Sequence, residues 1–411
     1  MNGLKKSLVL LLAFTMLVGC GAKQPTSQQT SSVSQPQSSA VSSQSAESQP
    51  TAEPTAPALP ELTNDMPLAP QGKSALSGRD TDVVNQRPVA VMLYNQKAAF
   101  PQWGVSDMQI LMEANTEGQD TWLMALYDGT DQVTKVGPVG QGRDLFLQMV
   151  MPLQAIPMFI GNDVYTSNLL NYYGYQPLNG VFAGTSAFDL DAERAKTYAD
   201  QYSWYAHKEL IPGALQQYNQ TIEGETHNFF QFAEGKTPQN TQGYELDVTY
   251  GSQRTARLVY ETDDQRYYLM DGDTNQVDAN HPEDDAIRFT NVILLMARSG
   301  YKDNGVTREY DLSSGDGVYL SAGGYTAIRW EKGDAQQPLK LYDTNGQMLD
   351  VQPGRTYLGI YGGFEGQSLR LLDSNGAEQS LPQTPQPLPT PVPTETPQPT
   401  EQPDEQATSQ S

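Results

Sequence analysis

The chain has 411 residues, with 48 acidic against 25 basic side chains, a formal net charge of -23, 28 prolines and a single cysteine. That balance repels polyphosphate and anionic headgroups, so it argues against nucleic acid as a partner and leaves a membrane contact to something other than basic side chains. One thiol excludes an internal disulfide and a thiolate metal cluster.

At the amino end Lys5 and Lys6 precede an apolar run from Leu8 to Val18 and the tetrapeptide Leu17-Val18-Gly19-Cys20. The run is far shorter than the roughly 20 residues of a bilayer-spanning helix, and predicts a secretory signal peptide over residues 1–19, cut ahead of Cys20. Lipidation of Cys20 with diacylglycerol, and acylation of the new amino terminus, would supply the two or three palmitate-type chains that stable anchoring requires. The expected membrane contact is therefore lipid on Cys20, at the extracytoplasmic face. Residues 20–78, rich in Ser, Gln, Pro and Thr, lack the apolar content to form a core and are predicted to be a disordered tether. From Arg79 to Arg370 there are 38 acidic and 21 basic side chains, a balance of -17. A body of that length exceeds one comfortable core, which predicts two domains, 79–225 and 226–370. Residues 371–411 contain no Lys or Arg and nine prolines between Pro382 and Pro403. This Pro/Thr-rich tail is predicted to be disordered: a solvated end, a wall-spanning spacer, a glycan acceptor or a proline-motif ligand.

Within the body, Pro88 to Asn95, Ile110 to Thr116, Thr121 to Tyr127 and Ala155 to Ile160 read as strands. The spacing of Leu145, Phe146, Met149 and Val150 predicts a helix over 144–150, and further helices are expected at 164–173, 192–201 and 208–218. After about Thr226 alternating runs bounded by Gly, Asn and Asp take over. Hairpins are expected about Gly323-Gly324, Asn345-Gly346 and Gly362-Gly363, with a hairpin turn at Asp271-Gly272-Asp273 and a central buried strand at Thr290 to Ala297. The fold class is α+β: a mixed α/β amino-terminal domain, then a mainly antiparallel β domain, flanked by disordered tails.

Several short pieces occur together in order. They are Arg87-Pro88-Val89-Ala90-Val91-Met92 with Asn95, Pro101-Gln102-x-Gly104 leading to Glu113 and Glu117-Gly118, and Gly137-Pro138-Val139 with Arg143. Further on come Asn291-Val292-Ile293, Gly315-x-Gly317, Trp330-x-Lys332, and Asp343-x-Asn345-Gly346 before Pro353-Gly354-x-Thr356. This pattern, over roughly residues 87–365, resembles the YerB-like family of lipoproteins, a two-domain family of unknown function. The resemblance implies a shared fold and an envelope location, at a Gram-positive cell surface, and carries no settled activity. Such proteins tend to have two arginines after Gly-Pro-Val, where this chain keeps only Arg143.

The loop Gly137-Pro138-Val139-Gly140-Gln141-Gly142-Arg143-Asp144 is the leading ligand-site candidate, because free amides of Gly140 and Gly142 and the Arg143 guanidinium could hold a carboxylate or phosphate. The alternative is a structural turn capped by Asp144. Neither a dinucleotide fingerprint nor a P-loop is present, and no cofactor is predicted. His207, His227 and His281 are scattered, and Asp271-Gly272-Asp273-Thr274-Asn275 lacks the later ligands of a calcium loop, so no metal is predicted. Ser299-Gly300-Tyr301-Lys302 matches S-x-x-K without its companion motifs. Two aromatic groups, around Tyr172, Tyr173 and Tyr175 and around Trp204 and Tyr205, could bind protein or carbohydrate. The favoured function is a non-catalytic binding or scaffolding lipoprotein meeting envelope proteins or cell-wall glycan. The alternative is an envelope peptidoglycan hydrolase using Glu113 and Glu117.

Overall fold

Runs such as PVAVMLY, TWLMALY and TNVILLMA leave no polar face for solvent, so strands made from them have to be covered on both sides. In the computed structural model, which describes residues 64–239, 242–283 and 286–389, they form Val89–Tyr94, Trp122–Tyr127 and Asn291–Met296, buried along their whole length. All three belong to one ten-stranded sheet. Its order is Lys340–Tyr342, Gly324–Glu331, Ser314–Ser321, Asn291–Met296, Thr356–Tyr361, Ile110–Ala114, Trp122–Tyr127, Val89–Tyr94, Ile156–Phe159, Leu178–Asn179.

The sheet draws strands from both halves of the sequence. Thr356–Tyr361 is its central link, parallel to Ile110–Ala114 with Met112 opposite Leu358, and parallel to Asn291–Met296 with Leu294 opposite Gly359. A second, antiparallel sheet has the order Thr274–Asn275, Arg266–Asp271, Arg254–Glu261, Glu245–Gly251, Ser368–Leu372. Its strands alternate buried and more exposed residues, as expected for a sheet with one face on the core.

Alternation along the large sheet divides the core into two layers. Val91, Leu111, Leu123, Leu294 and Tyr357 point to one layer, where they join Leu246, Val248, Leu258 and Leu269 of the second sheet. Met92, Met112, Met124, Ile293, Leu295 and Leu358 point to the other, which contains Leu145, Phe146, Met149 and Val150 of the helix Asp144–Val150.

Several expectations are corrected. The helix expected over 192–201 is reduced to two short 3-10 turns, Arg194–Lys196 and Asp200–Tyr202, and the last helix is shortened to Ile211–Gln217. Thr356–Tyr361 and Ser368–Leu372 do not pair with each other about Gly362-Gly363. The first is apolar on both faces and enters the large sheet, while the second joins Glu245–Gly251. Around Asn345-Gly346 a single bridge joins Tyr342 to Met348, and Asp350–Val351 pairs instead with Gln231–Phe232.

The packed body also extends beyond residues 79 and 370. Leu76 is fully buried, Ser74 donates to Asp128, and Ala69 N donates to Thr226 O at 3.0 Å, so residues 64–78 are not tether. At the other end Leu371 is buried, and Leu381 packs on the same layer. The signal segment, Cys20 and the last 22 residues lie outside the described residues.

Candidate functional site

Residues 136–142 run as an irregular strand between two neighbours. The amides of Val136, Val139 and Gly140 donate to the carbonyls of Ala206, Trp204 and Met92 at 2.9, 2.9 and 2.7 Å. Those of Gly137 and Gly142 donate to Trp103 O and Gly161 O at 3.1 and 2.8 Å. The Gly140 and Gly142 amides expected to be free for an anion are therefore committed to carbonyls. Both glycines answer to packing: a Cβ on Gly140 would stand 2.8 Å from the Trp122 ring, and one on Gly142 3.0 Å from the Phe159 ring.

Arg143 is 4% exposed and pairs with Glu117, and its guanidinium lies 4.5 Å from the centre of the Trp122 ring. Tyr94 continues the stack, 5.0 Å from Trp122 and 5.1 Å from Tyr202, and burial raises its phenol above the ordinary range. Asp144 does not cap its own helix. It turns to Lys302, 2.7 Å away, and Lys302 also takes Glu309 at 2.8 Å. Burial raises the Asp144 carboxyl despite that lysine, because the desolvation of the charged form outweighs the attraction.

Glu113 and Glu117 do not share a strand face, since Glu117 lies in the turn after Ile110–Ala114. Glu113 is fully buried. It receives the Arg254 guanidinium on both oxygens, at 2.6 and 2.9 Å, with Thr121 Oγ1 at 2.7 Å, Asn95 Nδ2 at 3.1 Å and the Tyr357 hydroxyl at 3.0 Å completing its shell. Tyr250 closes the group, its hydroxyl 3.1 Å from that of Tyr357. Gly359, opposite Glu113 in the sheet, makes room: a Cβ there would stand 2.6 Å from the Tyr250 hydroxyl. Burial works against a charged Arg254, but the Glu113 carboxylate overrides it and holds the guanidinium above its usual range. Both carboxylate oxygens of Glu113 are thus taken up by donors of the protein itself. Arg254 gave no local sign of its role, because it lies 141 positions from its partner.

The aromatic groups occupy different elements. Tyr172 and Tyr173 end the helix Val164–Tyr173 with rings edge to face at 4.8 Å, and Tyr172 is 67% exposed. Tyr175 is an anchor, donating its hydroxyl to Ala155 O. Trp204 and Tyr205 lie on the strand Trp204–Ala206. Lys135 Nζ sits 4.2 Å from the Trp103 ring centre and 4.8 Å from that of Tyr205, while Arg194 covers Trp103 and Tyr198 at 4.7 and 4.8 Å. Val181 and Phe182 of the short helix Gly180–Ala183 are 64% and 79% exposed. Neither they nor the cations were evident in the sequence, because exposure of an apolar residue is set by its fold neighbours.

The other motifs resolve into structure. Ser299 Oγ donates to Gly362 O at 2.6 Å and Lys302 is held by two carboxylates, so S-x-x-K forms no catalytic pair. His207 lies between Asp189 and Glu209, at 2.8 and 2.7 Å. Among the described residues no group of three or more His, Cys, Asp or Glu side chains is arranged to hold a metal ion. Asp271-Gly272-Asp273 is the expected turn, joining Arg266–Asp271 to Thr274–Asn275. One cavity of about 370 Å³ is lined by Ser74, Gln86, Asp128 and Thr226, and another of about 600 Å³ by Asp65, Lys332 and Lys340. None of the predicted site residues lines either. Lys332 is buried, its Nζ donating to the carbonyls of Asp334 and Gln337 at 2.6 and 3.1 Å, and among the described residues it has no carboxylate at ion-pair distance. Burial lowers its amine to about 7.

The fold and this site define a two-part α+β protein whose halves share one sheet and whose central carboxylate is neutralised by an arginine. Residues 75–240 match the family described as "Protein of unknown function (DUF3048) N-terminal domain", and residues 246–358 match its C-terminal domain. The chain belongs to this family. It is 26% identical over 303 residues to the Bacillus subtilis (strain 168) protein named "Putative lipoprotein YerB", across 72% of this chain and 88% of the relative. The crystal structure of YerB protein from Bacillus subtilis superposes with a TM-score of 0.63 at 23% identity, covering 72% of this chain and 99% of that one. Among the described residues no helix is long and apolar enough to cross a membrane.

Proposed function

We propose that this protein is a lipid-anchored, extracytoplasmic binding or scaffolding protein of the bacterial envelope, held through Cys20 and engaging an envelope protein or wall glycan through exposed aromatic and aliphatic side chains. The observation that carries the proposal is the contrast between its carboxylates and its apolar surface. Glu113 and Glu117 are each bound by an arginine, which leaves a hydrolase no free acid at that position. By contrast Val164, Tyr172, Val181 and Phe182 are 61–79% exposed within one stretch of sequence, where side chains of that kind serve recognition. The name of the Bacillus subtilis relative and the sequence around Cys20 support the anchor.

The test is a pull-down of the full chain from envelope extract beside a Tyr172→Ala, Phe182→Ala double variant. Recovery of a specific protein or glycan by the wild type, lost in the double variant, is the expected outcome. Turnover of purified peptidoglycan that disappears in Glu117→Gln would replace this function with a hydrolase. For the anchor, Cys20→Ser should abolish membrane retention, and retention of that variant would refute lipid attachment.

A further inference from the structure

The packed part of the proline-rich tail makes a contact that its composition did not lead us to expect. Residues 380–388, Ser-Leu-Pro-Gln-Thr-Pro-Gln-Pro-Leu, form neither helix nor strand, yet they are held at four points. The Ser380 carbonyl accepts from the Tyr325 hydroxyl at 3.2 Å. Leu381 packs against the core layer beneath the second sheet. Thr384 and Pro385 lie over Gly363. Leu388 donates its amide to Ser299 O at 2.8 Å.

The receiving surface is shaped for close approach. Gly300 lies under Leu388, and a Cβ on Gly300 would stand 3.0 Å from that of Leu388. Gly363, at φ +67, lies under Thr384 and Pro385, where a Cβ would collide with the threonine methyl. Such a surface suits an extended proline-rich chain, which has few amide donors, exposes its carbonyls and presents flat ring faces. The contacts divide accordingly into a tyrosine donor for a carbonyl, a carbonyl for the Leu388 amide, and bare backbone beneath a threonine and a proline ring.

The seated sequence also recurs. Thr384-Pro385-Gln386-Pro387 reappears as Thr396-Pro397-Gln398-Pro399. The flanking anchors differ, since the positions of Leu381 and Leu388 become Pro393 and Thr400. The second segment keeps the threonine and proline that meet Gly363 but loses both leucine anchors, so it should bind more weakly.

We propose that the groove formed by Ser299–Gly300, Tyr361, Gly362–Gly363 and Tyr325 is a recognition site for extended Thr-Pro-Gln-Pro segments, filled by the chain's own residues 380–388 and open, by exchange, to the second motif on another copy. The wild-type preference is for residues 380–388, because they carry the two leucines that the second segment lacks and are joined to the body by the shorter connection. A second copy therefore enters only at high local concentration, as when molecules are crowded on a surface.

Hydrogen exchange at the Leu388 amide of the full-length protein tests this. In the wild type that amide should exchange at least about tenfold more slowly than an unprotected one, and Gly300→Val or Leu388→Ser should remove the protection. Amides of Asn291–Met296 report whether Gly300→Val has kept its fold. Should it not, Leu388→Ser, which leaves the groove intact, decides. Adding a synthetic peptide of residues 392–403 in excess should speed exchange at Leu388, while a scrambled peptide should not. A labelled copy of that peptide should bind a Leu381→Ser, Leu388→Ser double variant more tightly than the wild type. An unprotected Leu388 amide in the wild type would overturn the docking of the chain's own segment. Protection unaffected by the peptide, or affected equally by its scramble, would overturn the exchange.

Discussion

Glu113 and Glu117 lie four residues apart, each bound to one arginine, yet they do different work. Glu113 has no solvent contact, and its five hydrogen bonds come from Arg254, Thr121, Asn95 and Tyr357, elements of both halves of the chain. Glu117 is 31% exposed in a turn and holds Arg143 against Trp122. Both are opposite-charge pairs, so the difference lies in water. A buried pair persists because neither member can be removed without stranding the other away from solvent, whereas water can replace a partner at the rim.

Breaking the central pair gives the largest expected effect. Glu113→Gln should lower stability by about 3–5 kcal/mol in urea unfolding, with Arg254→Met costing a similar amount and the double variant less than the sum of the two. A Glu113→Gln cost no larger than that of Glu117→Gln would abolish the distinction between centre and rim.

Lys332 sharpens the comparison from the other side, being a buried amine held by two backbone carbonyls, with no carboxylate at ion-pair distance among the described residues. Its amine is lowered to about 7 in the folded protein, against about 10.4 in an unfolded chain. Between these values the unfolded state binds the extra proton, so the Lys332 contribution to stability rises with pH across this window. Lys332→Met should remove that part of the slope in unfolding measured from pH 7 to 10. An unchanged slope would mean that Lys332 stays protonated.

Smaller effects are expected toward the surface. Glu117→Gln should cost about 1–2 kcal/mol, because it leaves a nearly buried Arg143 without its anion. Arg370 is half exposed beside Asp247, and Arg370→Gln should change stability by no more than about 0.5 kcal/mol. Salt should weaken this pair before it weakens the Glu113 pair, and equal salt sensitivity would again blur centre and rim.

What could be read from the sequence follows the range over which the determining forces act. The helix Asp144–Val150 appears where its apolar spacing puts it, Val164–Tyr173 fills its expected range, and the hairpin expected about Gly323-Gly324 forms with its turn one residue earlier, at Ala322-Gly323, where both residues have positive φ and Gly324 already pairs with Ser321. Asn291–Met296 is central, as an uninterrupted apolar run demands. Long-range pairing was not legible. Local turn signals at Gly362-Gly363 suggested a hairpin, but the strand before them is apolar on both faces and finds its partners at Ile110–Ala114 and Asn291–Met296. The Gly140–Arg143 loop was misjudged for the same reason. Its amides bond to the carbonyls of Met92, in the strand Val89–Tyr94, and Gly161, in the loop after Ile156–Phe159, whose positions no local pattern reveals.

The place of Thr356–Tyr361 governs when the protein can become itself. Ile110 pairs with Thr356, 246 positions later, so a chain synthesised from its amino end presents one side of its first sheet unpaired until nearly the last of the body has arrived. For all that time Ile110–Ala114 is an open edge that any extended strand could join. Assembly is therefore a late event for this molecule, and fragments ending before residue 361 would be adhesive intermediates rather than smaller versions of the same protein.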